Sequence, residues 1–275
     1  MLQEPKEYIY KTVGDRPIPF LFYPPENPSP AAPLLLLVPG GGWRLSNAES
    51  MYGMERSACE ALRREGFAVA ALSYRNRKDD GVNMRQMVAD VFDGLTFLVA
   101  HAAEFAIDPH RVYTSGHSAG AHLALLLAYA PADLLAGERA YPPAAYTVRG
   151  TVPLSPPTFL PMGDGKPYLQ FSVDDLFVGC APEDYALCSP ETYAASGVPS
   201  LIAVGERDEL VFPENGRRLA RLLAENGVEA RLIESLRGGH CFEPIRAESS
   251  APTLAEILDE MADFLRKREK IRYNP

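Results

Sequence analysis

A serine hydroxyl is a poor nucleophile at neutral pH, and it becomes a good one only with a base beside it and N–H donors facing the atom it attacks. Gly116-His117-Ser118-Ala119-Gly120 offers such a serine. The G-x-S-x-G run sits between a β-branched stretch, Val112-Tyr113-Thr114, and an Ala/Leu-rich segment from Ala119 onward. That order predicts strand, tight turn and helix, with Ser118 at the tip of the turn. Glycines two residues before and two after the serine let strand and helix approach without Cβ clashes. A solvated turn serine is the bland alternative, and the flanking strand and helix argue against it.

The base must be one of five histidines. His117 lies inside the turn, where its side chain is expected to point away from Ser118. His122 is one helical turn further on and reads as structural. His101 ends a helix and His110 lies in a surface turn. His240, in Arg237-Gly238-Gly239-His240-Cys241-Phe242, follows the last strand. In an open parallel sheet ligands bind beyond the carboxyl ends of the strands, so that loop can bring a base to Ser118. The base needs a carboxylate to hold its tautomer. Gly205-Glu206-Arg207-Asp208-Glu209 follows a buried strand and offers three, which residue type and position alone do not separate. Pro39-Gly40-Gly41-Gly42-Trp43 also follows a buried strand. The N–H groups of Gly41 and Gly42, with that of Ala119 at the helix start, are the candidate oxyanion donors.

These residues require a scaffold of strands with helices between them. Residues 8–13 and 18–23 alternate in polarity around Gly14-Asp15 and predict an antiparallel hairpin. Residues 24–33 hold five prolines and predict a loop. Leu34-Leu35-Leu36-Leu37-Val38 predicts a strand buried on both faces. A helix over 48–65 ends at Gly66, and 67–74 is the next strand. Met84, Met87, Val88, Val91, Phe92, Leu95, Leu98 and Val99 recur at helical spacing, a core stripe and not a cofactor site. Asp108-Pro109-His110-Arg111 turns the chain into the strand before Ser118. Strands over 148–154, 200–205 and 228–234, and helices over 214–225 and about 254–265, complete the pattern. Residues 156–199, rich in proline and aromatics, break the rhythm and read as an irregular, cap-like insertion. Alternation of strands and helices predicts a mostly parallel α/β sheet with helices on both faces, in a single domain over residues 1–275.

Composition narrows the function. With 47% hydrophobic residues the chain can bury a large core. Its net charge of −9 offers no footprint for nucleic acid or an anionic membrane surface. No apolar run reaches the length of a membrane span and the first residues show no signal-peptide core, so the expected location is cytoplasmic. Cys59, Cys180, Cys188 and Cys241 have no C-x-x-C spacing and read as free thiols in a reducing compartment. No metal and no cofactor is called for.

Taken together, Pro-Gly-Gly-Gly-Trp (39–43), Leu-Ser-Tyr-Arg (72–75), Gly-His-Ser-Ala-Gly-Ala-His-Leu (116–123), Gly-Glu-Arg-Asp-Glu-Leu-Val (205–211) and Gly-Gly-His-Cys-Phe (238–242) resemble, in order, the motifs of α/β-hydrolase fold serine esterases. That group includes hormone-sensitive-lipase-like carboxylesterases, acetylxylan-esterase-like enzymes and kynurenine formamidases. The resemblance implies a Ser118, Asp208, His240 triad, since the group's Gly-x-x-Asp pattern falls on Gly205 and Asp208. It implies Gly41, Gly42 and Ala119 as oxyanion hole, and an acyl-enzyme route to ester hydrolysis. Pro39, where the lipase-like branch has histidine, resembles the acetylesterase-like branch and favours a small acyl group, acetyl first. Gly-His-Ser-Ala-Gly-Ala-His resembles the formamidase branch, so an arylformamidase is the alternative. A peptidase and an inactive ligand-binding homologue rank lower. The expected partner is a small-molecule ester, with no nucleic acid and no membrane, and a homodimer is allowed. Trp43, His117, Tyr168 and Phe177 are candidate substrate contacts, with Phe171 beside them.

Overall fold

The computed structural model describes residues 3–244 and 249–270 of the 275. Eight strands form one sheet in the order β1-β2-β4-β3-β5-β6-β7-β8. β1 (Lys6–Val13) and β2 (Arg16–Tyr23) are the expected hairpin, and β2 pairs antiparallel with β4 (Ala68–Leu72). From β4 through β3 (Ala32–Val38), β5 (Ile107–His117), β6 (Val148–Leu154), β7 (Ser200–Gly205) and β8 (Ala230–Ser235) every pairing is parallel. The mostly parallel sheet of the α/β-hydrolase fold, with its N-terminal antiparallel hairpin, is therefore present. The β1–β2 register slips between Ile9 and Lys11, a bulge on the outermost strand.

Pleating explains the unbroken apolar runs. Leu34, Leu36 and Val38 face one layer, with α4 (Met84–Ala100) and α6 (Ala119–Tyr129). Leu35 and Leu37 face the other, with α1 (Ala48–Met54), α2 (Arg56–Arg64) and α9 (Leu254–Lys270). A strand covered on both sides has no polar face to alternate with. α8 (Glu214–Glu225) packs on β7 through Leu219 and Leu223, against Ile202 and Val204. Every residue of α6 is buried, so this helix lies at the centre of the molecule.

Differences from expectation have local causes. β3 begins at Ala32 and so includes Pro33, which needs no ladder donor at a strand start. Asp108-Pro109-His110-Arg111 is a bulge inside β5, with Ala32 opposite Ile107 and Leu34 opposite Val112. Short helices α3 (Arg77–Asp80) and α5 (Ala102–Phe105) occupy connections expected to be loop. α4 starts in an Asn83–Gln86 capping box and carries two buried aspartates within its apolar stripe. Lys11 Nζ lies 2.8 Å from Asp90 and 2.6 Å from Asp93, and Arg75 grips Asp90 at 2.8 Å, fastening the hairpin to α4. The 156–199 segment holds α7 (Glu183–Leu187) and two 3-10 stretches, Asp174–Phe177 and Pro190–Ser196. Leu160, Leu169, Leu176 and Phe177 are buried from it into the core. An Arg85–Asp184 ion pair and a Thr158 N–H donating to Asn215 Oδ1 (3.0 Å) anchor it further.

The helix expected over 48–65 breaks at Glu55, and the break puts a carboxyl under β5. Glu55 is fully buried; its Oε1 lies 2.8 Å from Ser115 Oγ and its Oε2 has no partner. Ser115 Oγ is also 2.7 Å from the Val152 carbonyl, so one serine proton faces two acceptors. Burial pushes the Glu55 pKa up to about 8, which leaves the carboxyl protonated at neutral pH and removes the shortage. The unfolded chain gives up this proton near 4.5 and the folded protein only near 8. Protein stability is therefore undiminished by Glu55 below about pH 4.5 and falls as pH rises toward 8, by on the order of a few kcal/mol. Glu55→Gln is expected to raise the urea midpoint at pH 8, with the gain shrinking toward pH 5. A pH-independent difference would contradict a neutral buried carboxyl.

Candidate active site

Ser118 stands where β5 ends and α6 begins, with φ 57° and ψ −124°. Few non-glycine residues adopt that conformation, which costs about 1–3 kcal/mol and must be held by its surroundings. It is held here by the Ser118 N–H donating to the Leu154 carbonyl at 2.8 Å and by direct backbone packing on β3. A Cβ on Gly116 would lie 2.7 Å from the Val38 carbonyl oxygen, and one on Gly120 would run into the same oxygen. No side chain fits at either place. Gly120→Ala is therefore expected to destabilise the fold by about 3 kcal/mol or more; a thermal melt within a few degrees of wild type would contradict this close approach.

His240 Nδ1 lies 2.7 Å from Asp208 Oδ2. The other oxygen, Asp208 Oδ1, accepts the N–H groups of Leu210 and Val211, each at 2.9 Å. The Asp208 side chain is wholly buried and the His240 side chain 15% exposed. Of the other two carboxylates in the loop, Glu206 accepts the Arg237 N–H at 2.8 Å, and Glu209 is exposed. Geometry thus singles out Asp208 as the partner of His240. The loops after β7 and β8 are joined by the Arg207 N–H donating to the Gly238 carbonyl, 2.9 Å. The Ser118 hydroxyl makes no hydrogen bond to His240 in this structure, a looseness common before substrate binds.

The loop after β3 crosses the elbow. Gly41 has φ 121°, where a side chain is strained, and Gly42 and Trp43 follow at 61° and 59°. Among the described residues, the N–H groups of Gly41, Gly42 and Ala119 donate to no protein acceptor. Arg44 steadies the loop, donating to the Gly42 carbonyl at 3.1 Å and, at 2.8 Å, to both oxygens of Asp175 in the 156–199 segment.

The expected substrate contacts need correction. Trp43 is 1% exposed and points into the core, where its indole N–H donates to His122 Nδ1 at 3.3 Å. His122 Nε2 in turn donates to the Cys188 carbonyl at 2.6 Å. Burial lowers the His122 pKa to about 4, so the ring is neutral and can accept from one side and donate on the other. Phe177 is buried and stacked on Tyr185, centroids 3.9 Å apart. His117 is buried and donates from Nε2 to the His240 carbonyl at 2.8 Å. Tyr168 keeps a half-buried ring, flanked by Phe159 and the Arg218 guanidinium. Phe171 is half-buried as well.

Sequence reasoning missed Ser155, which directly follows β6, and whose hydroxyl donates to the same His240 carbonyl at 2.9 Å. A polar residue at the carboxyl end of a sheet strand was the available signal. His101 caps α4 and His110 bonds Thr147 on the surface, both away from this site. Among the described residues no cluster of His, Cys, Asp or Glu is suited to a metal ion, and no helix is long and apolar enough to cross a membrane. All four cysteines are free thiols.

An eight-stranded sheet with a serine in a strained turn after its central strand defines an α/β-hydrolase of the serine esterase class. The chain belongs to the BD-FAE family, whose profile matches residues 21–223. The fold superposes on the propionate-bound esterase Est2 of Thermogutta terrifontis with a TM-score of 0.80, over 98% of this chain and 97% of that one, at 23% identity. The chain is 33% identical over 122 residues to a probable isoprenylcysteine alpha-carbonyl methylesterase, ICMEL1, of Arabidopsis thaliana, covering 42% of this chain and 24% of the relative. It is 24% identical over 244 residues to the esterase LipQ of Mycobacterium tuberculosis, covering 86% and 56% respectively. The chain thus spans about a quarter of the length of the first of these curated relatives and about half of the second.

Proposed function

We propose that this protein is a serine carboxylesterase that hydrolyses small, neutral acyl esters, acetyl esters first, through Ser118, His240 and Asp208. The observation that carries the proposal is the buried Asp208–His240 hydrogen bond, which fixes the imidazole tautomer with Nε2 free to accept a proton. Ser118 Oγ attacks the ester carbonyl carbon as its proton passes to His240 Nε2. The oxyanion is met by the N–H groups of Gly41, Gly42 and Ala119, each such donor worth about 3–4 kcal/mol in the transition state. The tetrahedral intermediate collapses, the alcohol departs with the proton from His240, and the acyl group stays on Ser118. Water then attacks the acyl-enzyme with His240 again as base, releasing acid and free serine.

Preference for a small acyl group rests on Pro39 at the head of the donor loop and on the inward packing of the 156–199 segment. The net charge of −9 favours neutral substrates. Named relatives agree in class, one a probable methylesterase and another an esterase, and the superposed esterase is a propionate complex.

An organophosphate should label the protein one to one, and Ser118→Ala should abolish both labelling and turnover. Asp208→Asn, which favours the wrong imidazole tautomer, should lower kcat by on the order of 10³–10⁴. Among p-nitrophenyl esters, acetate should be cleaved with the highest kcat/KM. N-formylkynurenine cleaved far faster than any of them would replace the esterase with a formamidase, and failure to label would dismiss catalysis by Ser118.

A further inference from the structure

Two side chains outside the proposed triad converge on one atom of its base. His117 Nε2 lies 2.8 Å and Ser155 Oγ 2.9 Å from the carbonyl oxygen of His240. Both donors are buried, at 8% and 1% exposure. A carbonyl oxygen has two lone pairs, and here both are taken. The donors come from neighbouring strands: His117 ends β5, and Ser155 follows β6.

Main-chain bonds fix the residues on either side, with the Arg207 N–H donating to the Gly238 carbonyl and the Gly239 N–H to the Glu243 carbonyl, each at 2.9 Å, and leave the His240 carbonyl to side-chain donors. Asp208 grips the imidazole at Nδ1 but leaves the ring free to swing about that bond. The main-chain end of the residue must be fixed separately if Nε2 is to face Ser118. His117 and Ser155 are well placed for this, because their frame is also that of the nucleophile. His117 is bonded to Ser118 in the chain and pairs with Leu154 across the β5–β6 ladder. The Ser118 N–H donates to the Leu154 carbonyl, and Ser155 comes next. Base and nucleophile are thereby referred to the same two strand ends.

We propose that His117 and Ser155 form a two-donor clamp on the His240 main chain that sets the distance between imidazole and Ser118, making both of them positioning residues. The proposal rests on His240 being the base. The choice of histidine also suits the electrostatics. The His117 ring lies 4.7 Å from that of His240, and burial, followed by the nearness of His240, lowers its pKa to about 4. At working pH it donates a hydrogen bond without placing a charge beside an imidazole that becomes cationic during catalysis, as lysine or arginine would.

The test is p-nitrophenyl acetate kinetics on the full chain for His117→Leu, His117→Gln, Ser155→Ala and the His117→Leu/Ser155→Ala double variant, with Ser118→Ala and His240→Ala as references and circular dichroism melts on all. Loss of a group that holds a reacting residue within about 1 Å can cost on the order of 10²-fold, so His117→Leu should lower kcat by about 30- to 100-fold with KM within about twofold. His117→Gln, whose amide N–H reaches about as far as Nε2, should recover most of the loss. Ser155→Ala should lower kcat by about 3- to 10-fold, and the double variant should fall short of the product of the singles, since the two donors share one acceptor. A raised KM at unchanged kcat would make His117 a substrate contact and overturn the clamp. Gln no better than Leu, with both melts lowered, would reduce His117 to packing and overturn it too. Should His117→Leu fail to fold, Ser155→Ala decides alone: an unchanged kcat sinks the clamp. If Ser118→Ala and His240→Ala are dead while both clamp variants match wild type, the triad stands and the clamp falls. Activity surviving in either reference variant removes the triad itself.

Discussion

The contact on which the rest depends is between backbones: the turn at Gly116–Gly120 against the end of β3. With no Cβ at either glycine, α6 drops onto the Val38 carbonyl, and the loop leaving β3 must pass over the start of α6. A Cβ on Gly40 would lie 2.7 Å from the His117 carbonyl oxygen, so the crossing lays this loop on the end of β5. Trp43 is then driven into the core, where it meets His122 one turn along α6, and His122 reaches the Cys188 carbonyl. One neutral imidazole so ties the loop after β3, α6 and the 156–199 segment. Neutrality is essential there, because a protonated ring has no lone pair with which to accept the tryptophan N–H.

Charge is distributed with equal economy. Around Ser118 the buried histidines are uncharged, and Asp208 has its outer oxygen satisfied by two main-chain N–H groups. On the far side of α4, by contrast, Lys11, Arg75, Asp90 and Asp93 form a buried ionic knot. Removing one partner from such a knot leaves an uncompensated buried charge, typically a loss of 3–5 kcal/mol. The knot joins hairpin to helix and lies outside the chemistry, so it secures the scaffold without adding charge beside Ser118.

Much of this was legible in the chain. Leu34 to Val38 and the strand before Ser118 announce themselves because both faces are covered, and Ser118 and His240 because their loops are glycine-rich and follow strands. What was hidden depends on partners far away in sequence. Nothing near Ser155 says that its hydroxyl will find the His240 carbonyl. Asp90 and Asp93 sit three apart within an apolar helix, a sign of buried ionic partners, yet Lys11 is 79 residues from the first of them. Glu206, Asp208 and Glu209 are chemically alike, and residue type alone did not separate them; the Gly-x-x-Asp resemblance pointed to Asp208, and the course of the loop gives Glu206 to the Arg237 N–H and Asp208 to His240. Trp43 and Phe177 look like pocket walls because aromatic residues in loops often are; their burial shows them instead to be core reached from the loop side.

The bulge between Ile9 and Lys11 bears on life in a crowded solution. β1 is the outermost strand, and a straight outer strand offers its unpaired amides as a template for any other extended chain. A bulge twists such a strand out of register with a newcomer, and the exposed charges of Lys6 and Glu7 make the approach costlier. The irregularity that interrupts the hairpin thus disfavours strand addition at the β1 margin of the sheet that carries Ser118.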